Sequence, residues 1–313
     1  MFKKILFKIY ELILFFDKSY GVKKYSLDEA SKIQNNILHD LINKSRYTKF
    51  GLEHDFKLIK SYKDFKNKVP TRDYEQFKNY IDLIKKGEKD ILWPGKPIYF
   101  AKTSGTTSGI KYIPVSKESI KNQVKSAGYL LFDYLKDKNS FESINGKAMF
   151  ISGSPSLVEE NGIKIGRLSG IVNHHEPFYL KGMLLPSKET NKIKNWEEKI
   201  EKIVEETIGE DLRVIGGIPP WIQMYFDFLI LKTGKKIKDI FPNLKLICHG
   251  GVNFEPYKSN LFNSIGKEID TLETFPASEG FFAYQNELKK NDLILQINSG
   301  IFYEFIDLEN LKS

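Results

Sequence analysis

The sequence predicts an α/β fold of mainly parallel sheets with flanking helices, preceded by a helical N-terminal segment. Two observations lead to this prediction. From residue 147 onward, short apolar strands alternate with amphipathic helices, and such β-α-β units build a parallel sheet covered by helices. Residues 1–95 instead carry apolar side chains at helical spacing. With 313 residues, the chain is long enough to bury a substantial core.

The N-terminal segment contains two well-marked helices. Ser26 and Glu29 form a capping box at the start of a helix over 26–42. A second helix is predicted near 72–86, and Gly87 ends it. We therefore divide the chain into a mainly helical first region, 1–95, and an α/β core, 96–313.

Two strands and a long helix open the core. The strands are PIYFA (97–101) and KYIPV (111–115). The loop between them, 102–110, is longer than the roughly two to five residues of ordinary hairpin loops. A helix is predicted from Ser116, with one apolar face formed by Ile120, Val124, Ala127, Leu131 and Leu135.

The alternating part of the core begins at residue 147. Its predicted strands are KAMFIS (147–152), LRVIGG (212–217), LKLICHGG (244–251) and IDTLETFPASEG (269–280). Its predicted helices cover 194–208, PPWIQMYFDFLILK (219–232) and 255–265. Two further strands are predicted in the closing stretch DLILQINSGIFYEFIDLENLKS (292–313).

The net charge of +8 does not by itself indicate a nucleic acid partner. The lysines are spread along the chain and alternate with acidic residues, as in KNWEEKIEKIVEE (194–206). We interpret the charge as a solvated, lysine-rich surface and expect no nucleic acid partner. A nucleic-acid binder, the alternative, would show a steep dependence of binding on salt.

The single cysteine indicates the cellular compartment of the protein. Cys248 allows no internal disulfide, which fits a reducing compartment, and its place in an apolar run indicates a buried, inert thiol. His249 follows it, but neighbouring residues on a strand face opposite sides, so His249 is not expected to act as the base of a cysteine nucleophile.

The N-terminal segment MFKKILFKIYELILFF (1–16) is interpreted as an amphipathic helix docked on the domain, with attachment to a membrane surface as the alternative. No membrane span is expected, and the predicted location is cytoplasmic.

Three segments follow the ends of predicted strands: GGIPPW (216–221), HGGVNFEPY (249–257) and PASEG (276–280). In an open parallel sheet, ligands bind in the crevice beyond the carboxyl ends of the strands. Paired glycines let a flat ligand approach the backbone closely, because no Cβ stands in the way. Each segment alone would be interpreted as an ordinary strand-to-helix turn. Because all three follow strands of one predicted sheet, together they predict a binding site.

The loop TSGTTSG is rich in hydroxyl groups and in backbone N–H donors, and such a loop suits phosphate oxygens. Lys111, just after it, adds a positive charge. The loop lacks the order of residues of a Walker A motif. A solvated linker is the alternative interpretation. The predicted phosphate-binding residues are Thr103, Ser104, Gly105, Thr106, Thr107, Ser108, Gly109 and Lys111.

Glu279 lies in the third strand-end segment. A carboxylate that faced a phosphate site would repel the phosphate unless a cation lay between them. Mg²⁺ binds through one or two carboxylates together with substrate phosphates, so Glu279 is the predicted metal ligand. The alternative is a glutamate that simply faces solvent.

These motifs resemble those of a known family. TSGTTSGIKYIP (103–114), HGGVNFEPY and FPASEG resemble the auxin-responsive Gretchen Hagen family of acyl acid amido synthetases, which belongs to the adenylate-forming enzymes. SYKDFKNKVPTRDYEQFKNYI (61–81), GEKDILWPGKPIYFAKTSGTTSG (87–109) and LILQINSGIFYEFI (293–306) also match its pattern. The resemblance spans nearly the whole chain. The hydroxyl-rich loop is shared by the wider superfamily, whereas its combination with PASEG and GIFYEF is much more specific.

The resemblance implies a two-step ligase that uses ATP and Mg²⁺. A carboxylic acid is activated as an acyl-adenylate, and an amine, commonly an amino acid, then attacks the acyl carbon. By position, Gly250, Gly251 and Val252 would lie along the adenosine or the acyl group, and Glu279 would bind Mg²⁺. Other residues implied in this way are Phe275 and Ser278 beside the nucleotide, and Pro220, Trp221 and Tyr225 at the acyl group.

The length of the chain departs from the family pattern. Family members continue after GIFYEF to a Tyr-Arg-x-Gly-Asp-like motif and a mobile C-terminal lid domain, and neither is found after Phe305. The whole chain, 1–313, is therefore expected to be an incomplete adenylate-forming N-terminal domain. A separate C-terminal fragment is a candidate partner. The alternative function is that of a non-catalytic remnant that binds a nucleotide or a partner protein.

Overall fold

The computed structural model describes residues 25–105, 109–138, 145–176, 180 and 182–307. The predictions on the first sixteen residues and on Thr106, Thr107 and Ser108 fall outside this part of the chain. Among the helices it describes, none combines the length and the apolar character needed to cross a membrane.

The described residues before the first strand, from Tyr25 onward, are mainly helical. Ser26 and Glu29 make the predicted capping box at the start of α1, and Asp73 and Gln76 make a second one before the last of these helices. Gly87 then adopts a φ of 92°, which favours glycine and ends the helical segment. The elements are α1 (Leu27–Ser45), α2 (Lys49–Glu53), a 3-10 turn (Phe56–Leu58), α3 (Tyr62–Lys68) and α4 (Tyr74–Lys85).

A small four-stranded sheet, sheet A, follows. It has the order β2-β1-β5-β4, with β1 parallel to β5 and antiparallel to β2. Its apolar residues pack against α4 on one face and against the start of the next long helix on the other. The strands are β1 (Tyr99–Gly105), β2 (Gly109–Val115), β4 (Val158–Glu160) and β5 (Ile163–Gly166).

The predicted nine-residue loop between the first two strands is wrong. The strands pair through Lys102 and Tyr112 as far as Gly105 and Gly109, so most of the predicted loop is strand. Ser, Thr and Gly do not alternate with apolar residues, and the sequence pattern therefore missed this pairing. A β-ladder joins backbone groups and does not require apolar side chains.

The larger sheet B has seven strands in the order β11-β10-β9-β8-β7-β3-β6. Its central strands β3, β7, β8 and β9 are parallel, as predicted, whereas β10 and β11 are antiparallel. The strands are β3 (Lys147–Phe150), β6 (Leu184–Leu185), β7 (Leu212–Gly217), β8 (Leu246–Gly250), β9 (Asp270–Pro276), β10 (Phe281–Tyr284) and β11 (Ile294–Leu295).

Helices cover both faces of sheet B. One face packs on α8, α9 and α11, and the other packs on α5, which also reaches sheet A through Ile120. The predicted apolar face of α5 is only partly correct, because Ala127 is exposed. The helices are α5 (Lys117–Lys138), α6 (Leu168–Val172), α7 (Lys188–Asn191), α8 (Trp196–Thr207), α9 (Pro219–Thr233), α10 (Ile237–Ile240) and α11 (Glu255–Ile265).

The second predicted strand of the closing stretch, GIFYEF, does not form. Its backbone is satisfied by a side chain instead, since Gln34 of α1 donates to the carbonyl of Ile301 (3.1 Å) and accepts from the N–H of Tyr303 (2.8 Å). Phe302 packs against Phe65 of α3. The segment is therefore held against the helical region rather than in a sheet.

Candidate functional site

The carboxyl ends of three neighbouring strands meet at one edge of sheet B. Gly217 of β7 pairs with His249 of β8, and Gly250 of β8 pairs with Thr274 of β9. The three glycine- and proline-containing segments predicted from the sequence therefore begin side by side. This arrangement has the form of a ligand crevice at the end of a parallel sheet.

Gly250 is required by the close approach of β9. A Cβ at this position would overlap the carbonyl oxygen of Thr274, and the Thr274 hydroxyl donates to the carbonyl of His249 (2.9 Å). Gly251 next to it has a φ of 80°, in the left-handed region that favours glycine. These two glycines let the chain turn sharply at the edge of the sheet, and Val252 after them is exposed.

His249 and Cys248 face opposite sides of the sheet, as predicted. The His249 ring stacks on Phe254 with 4.0 Å between ring centroids, and its Nδ1 has no hydrogen-bond partner among the described residues. Burial lowers the pKa of His249 to about 4. Cys248 packs on the face covered by α5, where burial raises the pKa of its thiol to about 12. Neither residue is arranged as a nucleophile with its base.

Glu279 lies in a tight turn between β9 and β10. The N–H of Ala277 donates to the carbonyl of Gly280 (2.8 Å), which closes the turn. Glu279 is exposed and has no hydrogen bond or ion pair with another described residue. No group of three or more His, Cys, Asp or Glu side chains placed to hold a metal occurs in the described part of the chain. A single free carboxylate fits Mg²⁺ held jointly with substrate phosphates, and does not make a metal cage by itself.

Phe275 and Ser278 flank this turn. Phe275 is 53% exposed and meets the Phe282 ring edge-on, with 5.6 Å between centroids. Ser278 is half-buried. An exposed aromatic ring beside a turn offers a flat surface for a base, so both residues remain candidates for contact with a nucleotide.

The described part of the hydroxyl-rich segment lies at the end of β1, as far as Gly105, and at the start of β2, from Gly109. Thr103 pairs directly with Lys111, which places the predicted phosphate-binding lysine beside the first hydroxyl residue. The Lys111 ammonium group lies 5.3 Å from the centroid of the Tyr74 ring. In this structure the lysine is thus held on α4.

The ends of the two sheets are joined through α6. Ala101 of β1 pairs with Gly166 of β5, and α6 follows directly after β5. The segment after β3 packs on α6, where Asn173 donates to the hydroxyl of Ser152 (2.8 Å). The segments that follow β5 and β3 therefore meet at α6.

The residues predicted at the acyl group have different surroundings. Tyr225 is fully buried and its hydroxyl bonds to Thr207 (2.6 Å), so it is a core residue and its assignment to a binding pocket is wrong. Pro220 and Trp221 begin α9 just beyond β7 and are half-buried. Trp221 packs on Trp196, with 5.0 Å between ring centroids. These two remain predictions.

A cavity of about 520 Å³ borders the Glu279 turn, and sequence reasoning did not find it. It lies between α1, the first turns of α5 and the segment 299–304. This volume is in the range of small-molecule sites. The residues come from distant parts of the sequence, so no local pattern signals them. They include Leu38, Ile42, Phe56, Phe65, Trp93, Glu118, Gln123, Ser126, Glu279, Phe281, Ser299, Ile301, Phe302 and Glu304.

The cavity has apolar walls and an acidic rim. Glu118, Glu279 and Glu304 are exposed at its border, and no Lys, Arg or His is among its described lining residues. A hydrogen bond from its own backbone N–H holds the pKa of Glu118 below its usual range. Gln123 is 5% exposed, and its Nε2 has almost no accessible surface and no hydrogen-bond partner among the described residues.

One buried cation was also missed by the sequence analysis. Lys199 of α8 is 2% exposed, and its Nζ donates to the carbonyls of Ser152 (3.0 Å) and Asn191 (3.2 Å). Burial lowers the pKa of Lys199 to about 8. Lys199 thus fixes the segment that follows β3 at the same sheet edge. The sequence analysis missed Lys199 because the segment KNWEEKIEKIVEE alternates lysine and glutamate and was interpreted as solvated.

A match to a protein family establishes the affiliation of the chain. Residues 24–194, more than half of the sequence, match the GH3 family N-terminal domain. The chain belongs to the GH3 family. This confirms the family predicted from the hydroxyl-rich loop and from the PASEG segment.

Curated GH3 relatives are similar over short stretches. Indole-3-acetic acid-amido synthetase GH3.17 of Arabidopsis thaliana is 29% identical over 125 residues, which are 39% of this chain and 20% of the relative. Indole-3-acetic acid-amido synthetase GH3.15 of the same plant is 30% identical over 97 residues, 30% of this chain and 16% of the relative. The aligned segments thus span a fifth or less of these relatives.

Solved structures share the fold over most of the chain. The GH3.15 acyl acid amido synthetase superposes with a TM-score of 0.67 and 14% identity, covering 86% of this chain and 57% of that one. A 2-hydroxyisobutyryl-CoA ligase in complex with 2-HIB-AMP and CoA superposes with a TM-score of 0.57 and 11% identity, covering 87% and 60%. The predicted fold, that of an adenylate-forming enzyme N-terminal domain, is confirmed.

Proposed function

We propose that this GH3 chain forms the nucleotide- and acyl-binding part of an ATP-dependent acyl acid amido synthetase. It would activate a carboxylic acid as an acyl-adenylate and transfer the acyl group to an amine, with an amino acid as the expected acceptor. The observation that supports this proposal is the register of β7, β8 and β9, which brings the strands that precede the GGIPPW, HGGVNFEPY and PASEG segments to one edge of sheet B.

The chemistry of the first step explains the residue types. A carboxylate oxygen of the acid attacks the α-phosphorus of ATP, and pyrophosphate leaves. Thr103–Gly109 would hold the phosphate oxygens through hydroxyl and backbone N–H groups, with Lys111 as an added charge. Mg²⁺ on Glu279 would neutralise the charge that accumulates between two anionic reactants. The protein contributes positions and charges rather than a general base.

The second step needs an amine in its neutral form. Its nitrogen attacks the acyl carbon, the bond to AMP breaks, and the nitrogen loses a proton to give the amide. Water or the departing AMP phosphate takes up this proton. We place the protein in the cytoplasm, which agrees with its single cysteine.

The cavity beside the Glu279 turn is the proposed site of the acyl group. Its apolar walls suit the body of a carboxylic acid, and Glu279 on its border connects it to the proposed metal site. An acid lying there would extend its carboxylate toward the nucleotide. This position is preferred to Trp221, whose ring is engaged with Trp196.

Carboxylate-dependent exchange between ATP and labelled pyrophosphate tests the proposal, with a panel of aromatic and aliphatic acids. The full chain is expected to exchange, and Glu279→Ala is expected to lower the rate at least about a hundredfold, as loss of a charge-stabilising group does. Glu287→Ala serves as a control, because the Glu287 side chain is 46% exposed and pairs with Lys290.

Two outcomes would contradict the proposal. If exchange persists in Glu279→Ala at the level of Glu287→Ala, the metal assignment is wrong. If the chain binds ATP but exchanges with no acid, it is the non-catalytic nucleotide-binding protein named above as the alternative.

A further inference from the structure

A glutamine of α1 makes three hydrogen bonds to the backbone of a segment near the end of the described chain. Gln34 donates to the carbonyls of Ile297 (2.7 Å) and Ile301 (3.1 Å) and accepts from the N–H of Tyr303 (2.8 Å). Residues 297–303 belong to no strand, so this side chain replaces the partners that a sheet would supply. Gln34 therefore fixes the backbone position of Ile301.

The side chain of Ile301 lies on the turn that carries Glu279. A Cβ on Gly280 would be 2.6 Å from Ile301 Cδ1, so a side chain at position 280 would displace this methyl group. Gly280 is buried, whereas Glu279 beside it is exposed. Hydrogen bonds between Ala277 and Gly280 close the turn in both directions (2.8 and 3.2 Å). Ile301 thus supports the turn from its buried side.

These contacts connect α1 to the proposed metal ligand. A carboxylate whose position is already fixed loses less conformational freedom when it binds a metal ion, and it therefore binds the ion more tightly. We infer that Gln34 is a positioning residue for Glu279. It acts through Ile301, which packs on Gly280.

This inference rests on the proposed function, because it takes Glu279 as the ligand of Mg²⁺. It adds a residue of the helical region to a site whose sequence motifs all lie in the α/β core. The connection depends on contacts between distant parts of the chain, so no local motif signals it.

The strengthening of ATP binding by Mg²⁺ tests this role in the full chain. ATP is titrated calorimetrically, with Mg²⁺ and with a chelator, into the wild type and Gln34→Ala. Loss of a group that orients a metal ligand typically costs about 10- to 100-fold in metal affinity. Because Gln34 acts through a second residue, we expect the strengthening by Mg²⁺ to fall at least about threefold in the variant. Binding in chelator is expected to be unchanged, which a general loss of structure would not allow.

Asn35→Ala is the matched control for this variant. Asn35 is the next residue of α1 and is exposed. Both substitutions replace an amide side chain by alanine in the same helix, so any effect on the helix itself is shared. The control is expected to keep the full strengthening of ATP binding by Mg²⁺.

Gly280→Ala and Ile301→Val test the contact between the segment and the turn. The added Cβ of Gly280→Ala would meet Ile301 Cδ1 and displace the turn, so the strengthening by Mg²⁺ is expected to fall at least about threefold. Ile301→Val removes Cδ1, the atom that this Cβ would meet. The double variant is therefore expected to regain most of the strengthening, and Ile301→Val alone to lose less of it than Gly280→Ala.

Three results overturn the inference. They are an undiminished strengthening in Gln34→Ala, an equal loss in Asn35→Ala, and a double variant that responds to Mg²⁺ no better than Gly280→Ala.

The outcomes also separate this inference from the proposed function. If Glu279→Ala loses the strengthening by Mg²⁺ and Gln34→Ala keeps it, the metal assignment stands and only the inference fails. If Mg²⁺ strengthens ATP binding equally in the wild type and Glu279→Ala, the metal assignment fails and the inference fails with it. If the strengthening depends on Gln34 and no acid supports pyrophosphate exchange, the positioning role stands and the ligase proposal fails.

Discussion

The ammonium group of Lys111 lies 5.3 Å from the centroid of the Tyr74 ring, so the lysine predicted to assist a phosphate is held on α4 in this structure. The same tyrosine accepts a hydrogen bond from the N–H of Tyr112 (2.8 Å). Tyr74 therefore secures both the backbone of the edge strand β2 and the side chain of Lys111. To bind a phosphate beside Thr103, Lys111 must exchange the ring for the stronger attraction of an anion.

Lys111→Met tests the role of this lysine in ATP binding. The dissociation constant of ATP, measured by calorimetry, is expected to rise about tenfold, or ~1.4 kcal/mol, since a hydrogen bond to a charged group is lost. Lys102→Met is the control, because Lys102 is on the same hairpin and its Nζ lies near the Tyr112 ring, 5.7 Å from the centroid. Equal losses in the two variants would show a general effect of charge and would refute the specific role.

Gly250→Ala tests the close approach of β8 and β9. The added Cβ would overlap the carbonyl oxygen of Thr274, so the free energy of unfolding is expected to fall by about 2–4 kcal/mol. Thr274→Ala in the same chain should not rescue stability, because the overlap is with backbone. Gly153→Ala is the control, since its nearest neighbour would be Ser169 Oγ at 3.6 Å, an ordinary contact. A melting temperature of Gly250→Ala equal to that of the control contradicts the pairing of Gly250 with Thr274.

His249 should make the protein sensitive to acid. Burial lowers its pKa from 6.5 to about 4, so the unfolded chain takes up a proton that the folded chain refuses between these values. Stability from this group is present above pH 6.5 and is lost as the pH falls toward 4, by on the order of 3 kcal/mol in total. His249→Phe keeps the ring stack on Phe254 and should remove this part of the pH dependence. Urea unfolding at several pH values from about 7 to about 4 measures it, and parallel curves for the two proteins would contradict the assignment.

The buried Lys199 should make the free energy of unfolding depend on pH in the alkaline range. Its pKa falls from 10.5 to about 8 on folding, so between these values the unfolded chain holds the proton and the folded chain does not. Stability of the wild type should therefore rise with pH over this window relative to Lys199→Met, by up to roughly 3 kcal/mol. The difference in unfolding free energy between the two proteins, measured from about pH 7.5 to about 10.5, gives this slope. A constant difference would show that Lys199 keeps its ordinary pKa.

The sequence predicted the elements of the fold well wherever apolar periodicity and end signals agreed. α1, α4 and α8 begin and end close to the predicted residues because capping side chains and glycines mark their ends. Prediction failed where backbone partners decide the structure. The Gln34 side chain bonds to the backbone of Ile301 and Tyr303. The aromatic residues of this segment are typical of a strand, but they form no strand there.

Only those parts of the candidate site that short sequence motifs mark could be predicted from the sequence. The strand-end glycines and Glu279 are readable because a short segment carries each signal. Tyr225 was misplaced because α9 is apolar on nearly all sides, so its sequence does not tell which face meets the core. The cavity brings Leu38, Gln123 and Phe302 together from distant parts of the chain, and its unpaired amide is visible only in three dimensions.

The dependence of ATP binding on Mg²⁺ tests the central claim most directly. ATP is titrated into the wild type and into Glu279→Ala, each with Mg²⁺ and with a chelator. We predict that Mg²⁺ strengthens binding to the wild type at least about tenfold and changes binding to the variant little, because the carboxylate holds the metal. In chelator the variant should bind ATP more tightly than the wild type, since a like charge is gone. An equal effect of Mg²⁺ on both proteins, or no binding of ATP to the wild type, would contradict the account.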